Sequence, residues 1–124
     1  MTEKTNVKKY SWGYELIWAK TEMYSGKIIF FEKAQIKTDM SFQKETTKSW
    51  FVNNGTIKIT WIDTNTGTVY EKEFSEGSTF TIAPLTPVEL MALVPGTSLT
   101  EVNNQKSEID LYVIARNNDV TESI

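Results

Sequence analysis

The sequence predicts an all-β domain, a sandwich or barrel of short strands, on three observations. Apolar residues recur at every second position through most of the chain, the period of a half-buried strand. Turn-forming residues interrupt that alternation roughly every eight to twelve residues, the spacing of sandwiches and barrels. No segment carries the three-to-four-residue apolar period of a long amphipathic helix. The 124 residues fit one domain, and 40% hydrophobic and 12% aromatic residues supply a core without metal or disulfide staples.

In chain order, Tyr14, Leu16 and Trp18 alternate with Glu15, Ile17 and Ala19. Gly26 then introduces a segment in which Ile28 and Phe30 face one way and Ile29 and Phe31 the other, which predicts a strand covered on both faces. Beyond Asp39, the strand through Ser49 to Val52 runs into Asn53-Asn54-Gly55, and the alternation resumes with Ile57, Ile59 and Trp61. Asn-Gly between two alternating runs predicts a hairpin, because both central residues of the turn must accept positive φ. A second hairpin is expected at Asp63 to Gly67, leading to Tyr70, Lys72 and Phe74 on one face. Further strands are expected at Thr79 to Ala83, Glu89 to Leu93, Ser98 to Val102 and Asp110 to Ala115, with Pro84, Pro87 and Pro95 at strand ends where a missing donor costs little. Residues 1–9 read as a flexible N-terminal arm, 10–116 as the barrel domain and 117–124 as a polar tail.

Composition restricts the chemistry. There is no histidine and no cysteine, so imidazole and thiolate metal ligands, thiol nucleophiles and disulfides are all excluded. The formal charge of −3 is spread along the chain without a basic stripe, which argues against nucleic acid. No apolar run spans a bilayer, and Met1 to Lys9 is polar where a signal peptide would be apolar, so the expectation is a cytoplasmic protein without a membrane partner.

The segment Trp12-Gly13-Tyr14-Glu15, the later Gly26-Lys27-Ile28-Ile29, and then residues 40–55, 73–87 and 99–104, taken in order, resemble the cupins, most closely the single-barrel relatives of the type II mannose-6-phosphate isomerase domain. The resemblance covers roughly residues 10 to 115. It implies a cupin jelly-roll β-barrel (double-stranded β-helix) whose mouth usually holds a divalent metal. By the resemblance, the two histidines of the first motif fall on Ser41 and Gln43, its glutamate on Lys48 and the histidine of the second motif on Val88, so all four ligand positions are changed. The Lys-Pro that precedes Trp-Gly in the family is Tyr10-Ser11 here, and the arginine of its Asp-x-x-Arg matches Val113. These departures put the isomerase activity in doubt, and with the four ligand positions changed no cofactor is expected.

If the family's geometry holds, Ser41, Gln43, Lys48 and Val88 line the barrel interior, either as a pocket offering hydrogen bonds and a cation to a polar ligand or as a degenerate site that closes the core. Trp50 and Trp61 are expected to face inward, as core residues or as a platform for a sugar ring. Glu101 resembles a family glutamate and joins the candidate pocket. Glu71 and Glu73 share a face, which reads as a solvated sheet surface, and Asp63 to Gly67 reads as a turn and not a calcium loop. An oxygen-only metal site from Asp39, Gln43 and Glu45 is a minor alternative. No residue is assigned a catalytic role, because no Gly-x-Ser-x-Gly elbow and no histidine base exist.

Three functions are therefore compared. The first is a metal-free barrel that binds a small polar, carbohydrate-like ligand without catalysis. The second is a metal-independent sugar isomerase or epimerase using Lys48 or a tyrosine. The third is a structural homodimer with a filled barrel, joined through Trp12, Tyr14 and Trp18.

Overall fold

The computed structural model describes residues 6–117. Among them lie 11 strands and no helix: β1 (Asn6–Tyr10), β2 (Gly13–Lys20), β3 (Ser25–Phe31), β4 (Met40–Phe42), β5 (Lys48–Asn54), β6 (Thr56–Asp63), β7 (Thr68–Ser75), β8 (Thr79–Ile82), β9 (Val88–Ala92), β10 (Thr97–Asn103) and β11 (Tyr112–Ala115). They form a six-stranded sheet in the order β1-β2-β3-β10-β5-β8 and a five-stranded sheet in the order β11-β4-β9-β6-β7. All pairings are antiparallel. Two facing antiparallel sheets between which the chain crosses repeatedly make a jelly roll.

The alternation in the sequence becomes the two faces of these sheets. On β3, Ile29 and Phe31 enter the core at 3% and 0% exposure, while Ile28 and Phe30 lie half-buried on the outer face. On β6, Ile57 and Ile59 are buried with Leu90 and Ala92 of the neighbouring β9. Each such side chain contributes about 1.5–3 kcal/mol by leaving water, which is why strands of five to eight residues suffice.

Five expectations are corrected. Asn6 to Lys9 are not a free arm: they pair with Tyr14 to Ile17 as β1, because their backbone donors and acceptors complete the edge of β2. Residues 1–5 of the expected arm, and 118–124 of the expected tail, lie outside the described residues. Asn117, assigned to the tail, bonds Asp39 and Thr38. Met40 to Phe42 form an additional short strand, β4, too brief to announce itself by periodicity. The expected strand from Asp110 begins at Tyr112, since Asp110 is used as a cap, described below.

The fifth correction concerns Asn53-Asn54-Gly55, which is not a hairpin. β5 pairs with β10 and β8, whereas β6 pairs with β7 and β9, so the chain crosses from one sheet to the other at Gly55. Gly55 has φ 84°, and a Cβ there would collide with Thr97 Oγ1, so the glycine is required by a close approach as well as by the bend. The second turn behaves as expected. Asp63 pairs with Thr68 in a β6–β7 hairpin, and the Asp63 carboxylate accepts the Asn65 N–H at 2.9 Å.

Candidate functional site

Two rows of residues run across the inner face of the six-stranded sheet. In the first, Ile17, Lys27, Glu101, Trp50 and Phe80 stand opposite one another on successive strands. In the second, two residues further along, Ser25, Asn103 and Lys48 do the same. Since side chains two apart share a face, the register alone brings two lysines, a glutamate and a tryptophan together. From the opposite sheet, Val113, Ser41 and Val88 form the facing row. Between the two lies a cavity of about 300 Å³, lined by Lys27, Lys48, Trp50, Glu101, Gln43 and Ser41 among others.

Glu101 sits at the centre with 3% exposure. Its Oε1 accepts the Trp50 indole N–H at 2.7 Å and its Oε2 accepts the Asn103 amide N–H at 2.7 Å. Lys27 Nζ is 3.8 Å from Glu101 Oε2 and 3.2 Å from Glu15 Oε1, and the Tyr10 hydroxyl donates to the same Glu15 oxygen at 3.3 Å. Desolvation works against the Glu101 charge, but Lys27, Lys48 and the two N–H donors outweigh it and hold the carboxyl below its ordinary range. Desolvation also opposes the charge on Lys27, where Glu101 and Glu15 prevail and lift its pKa above that of a free lysine. Burial, aided by Glu15, pushes the Tyr10 phenol up.

Lys48 is the exception. Among the described residues its ammonium has no hydrogen-bond acceptor or carboxylate within ion-pair distance, and Nζ lies 5.3 Å from the centre of the Trp50 ring. By surface area the residue is half-buried, and it lines the cavity. Desolvation is the largest influence and lowers its pKa, with the attraction of Glu101 only partly offsetting it. Two further buried polar atoms of the lining, Gln43 Oε1 and Ser11 Oγ, have no hydrogen-bond partner within the described protein.

The loop carrying Gln43 is fixed from two sides. The Gln43 carbonyl accepts the Leu85 N–H at 2.7 Å, and Asp110 accepts from Lys44 N, Glu45 N and Thr46 Oγ1 at 2.7, 3.1 and 2.8 Å. Desolvation opposes the Asp110 charge, but these three donors outweigh it and hold its carboxyl below the usual range.

Of the residues expected from the sequence, Ser41, Gln43, Lys48, Trp50, Val88 and Glu101 all line this cavity. Trp61 does not. It continues the Ser41–Val88 row one strand further, where Phe80 and Tyr70 cover it at 4.7 and 5.5 Å between ring centres. Trp12 also departs from expectation: it is 4% exposed, stacked between Tyr10 and Phe31, and so belongs to the core and not to a surface patch with Tyr14 and Trp18. Sequence reasoning missed Tyr10, Ser11, Glu15, Lys27 and Asn103. A signal existed for Lys27, which is in phase with the buried Ile29 and Phe31 and thus had to point inward.

The lining does not suit a divalent cation. Where the family resemblance places metal ligands there stand a hydroxyl, an amide, an ammonium and an alkyl group, and the ammonium would repel the ion. No three acidic side chains come together to hold one among the described residues. The oxygen-only set is not assembled either: Asp39 accepts from Arg116 Nη1 at 3.3 Å and Asn117 N at 3.0 Å, and Glu45 is exposed outside the cavity.

Sheet order and cavity together define a cupin-fold barrel with an inner polar cluster in place of a metal-binding set. Solved structures bear out the fold. Oxalate decarboxylase from Bacillus subtilis at pH 4.6 superimposes with a TM-score of 0.78 at 14% identity, over 89% of this chain and 30% of that chain. An arginine-to-alanine variant of that enzyme gives 0.79 at 15% identity with the same coverage. A structure described for its Mn(II) centres gives 0.75 at 15% identity. The chain thus spans under a third of the length of these enzymes. No protein-family model matches the sequence. No curated protein matches it either. Among the described residues no helix is long and apolar enough to cross a membrane.

Proposed function

We propose that this barrel binds a small, hydroxylated, carbohydrate-like molecule in its cavity, without a metal and without turning it over. The observation that carries the reading is a set of polar groups in the cavity lining without protein partners among the described residues: the Lys48 ammonium, Gln43 Oε1 and Ser11 Oγ. An unpaired buried polar atom costs about 1–3 kcal/mol, and a ligand supplying hydroxyls recovers that cost on binding. Trp50 adds an aromatic surface beside them. The narrower likeness to the mannose-6-phosphate isomerase domain rests on sequence motifs and supports a sugar or sugar derivative as the occupant. A volume of about 300 Å³ is at the small end of ligand sites and favours a single small molecule.

A thermal-shift screen of sugars, sugar phosphates and polyols in excess chelator tests this. One class should raise Tm in a concentration-dependent manner, as mass action requires, and Lys48→Ala should remove the shift. A shift that needs added metal, or none with any compound, would overturn the reading.

We also propose that the chain forms a homodimer, supported by the outer face of the six-stranded sheet. There Val7, Phe51 and Val102 are exposed at 44%, 45% and 46%, and they share that face with the half-buried Leu16 and Ile28. Light scattering at micromolar concentration should give twice the chain mass, and a monomer counts against it.

A further inference from the structure

Resting on the reading of the cavity as a small-ligand site, we propose that Lys48 forms a reversible imine with the carbonyl carbon of a small hydroxylated aldehyde or ketone. The cavity's lysines differ in one respect that bears on this. Lys27 is committed to Glu15 at 3.2 Å and Glu101 at 3.8 Å, and Lys20 to Glu108 at 2.9 Å. Lys8 and Lys106 are exposed at the rim. Lys48 alone in the lining is held inside without an acceptor among the described residues, against the Trp50 ring and facing the cavity. Desolvation of this kind is one way in which a lysine is made a nucleophile toward carbonyl groups.

The local charge agrees. The attraction of Glu101 and Glu15 only partly offsets the desolvation of Lys48, and it would act in the same way on a protonated imine nitrogen at that position. The step balances without a co-reactant. The amine lone pair adds to the carbonyl carbon, the carbonyl oxygen takes up both amine protons in turn and leaves as water, a C=N double bond remains, and one proton from solvent converts it to the protonated imine. Gln43 Oε1 is placed to accept from a ligand hydroxyl, and Ser11 Oγ to donate or accept. These groups select a hydroxylated carbonyl compound over a plain aldehyde, and fit the open-chain form of a small sugar.

Glyceraldehyde with sodium cyanoborohydride at neutral pH, followed by peptide mass mapping of the full chain, reads the reaction at each lysine. Lys48 should be alkylated at least about tenfold faster than Lys8 and Lys106, and Lys27 should lag. Lys48→Arg, checked for folding by its thermal transition, should lose that adduct and keep the surface ones. Labelling of Lys48 no faster than of Lys8 would overturn the proposal. Tryptophan fluorescence titrations with glyceraldehyde and glycerol separate the two readings. A response to either without a Lys48 adduct retains the ligand site and sinks the imine, while no response and no adduct sinks both.

Discussion

The two ends of the barrel use the same pair of sheets for opposite purposes. At the closed end Val52, Ile57, Ile59 and Phe74 fill the interior, and Phe80 and Trp61 seal it with ring contacts of 4.7 to 5.5 Å. At the open end the same inward-facing positions carry Glu15, Lys27, Lys48 and Glu101 around a cavity. Apolar filling is the cheaper solution, since burying a charge costs several kcal/mol before its partners recover any of it. A fold that could have closed both ends with alkyl groups, and instead keeps four charged side chains at one of them, departs from local stability rules where functional sites do.

The contrast can be broken first at the closed end. Ile59→Ala should cost about 2–5 kcal/mol in urea unfolding, because a side chain with 1% exposure leaves a cavity that its packed neighbours cannot fill. A loss under about 1 kcal/mol would mean that this end is not a packed core. At the open end, Lys27→Met should cost about 3 kcal/mol at pH 7, since Glu15 and Glu101 are left without their cation. Its pH dependence has two limits. The Lys27 pKa is raised, so its contribution is complete below the unfolded value of about 10.4 and fades as pH rises through the folded value. The Glu101 pKa is lowered, so its contribution is present above about 4.3 and fades as pH falls through the folded value. The gap between wild type and variant should therefore be widest at intermediate pH, and a flat profile would show that the pair is not coupled.

Lys48→Met should have the opposite sign, stabilising the fold by about 1 kcal/mol at pH 7 by removing a cation without a partner. Here the folded pKa is lowered, so the unfolded chain binds the extra proton between the folded value and about 10.4, and wild-type stability rises with pH through that window. The advantage of the variant should shrink as pH approaches 10.4. Trp61→Phe should be the mildest, under about 1.5 kcal/mol, and should leave any ligand-induced thermal shift intact, because Trp61 lies outside the cavity. Loss of that shift would join the two ends that the structure separates.

Much of the strand pattern could be read locally. The barrel class followed from residue alternation, and the lack of imidazole and thiolate from composition alone. The motif alignment placed Ser41, Gln43, Lys48 and Val88 on one interior, and the structure puts all four on one cavity wall or the wall facing it. Asn53-Asn54-Gly55 shows the limit. The dipeptide sets φ at Gly55, but whether the next strand folds back onto β5 or crosses to the other sheet depends on Thr97, which packs against Gly55 from far along the chain. Trp61 shows the same limit, since alternation says that it points inward but not which end of the barrel it fills.

The sequence by itself therefore determined the strand character of the clearly alternating segments, the two faces of those strands and the removal of imidazole and thiolate chemistry, because each depends on a residue and its near neighbours. Only the tertiary structure decided that Lys27 is paired and Lys48 is not. That difference arises from the register of β3, β10 and β5, which sets Lys27 directly opposite Glu101 and Lys48 opposite Asn103. Cross-strand register between distant segments is fixed by the packing of the whole barrel, and no local pattern carries it.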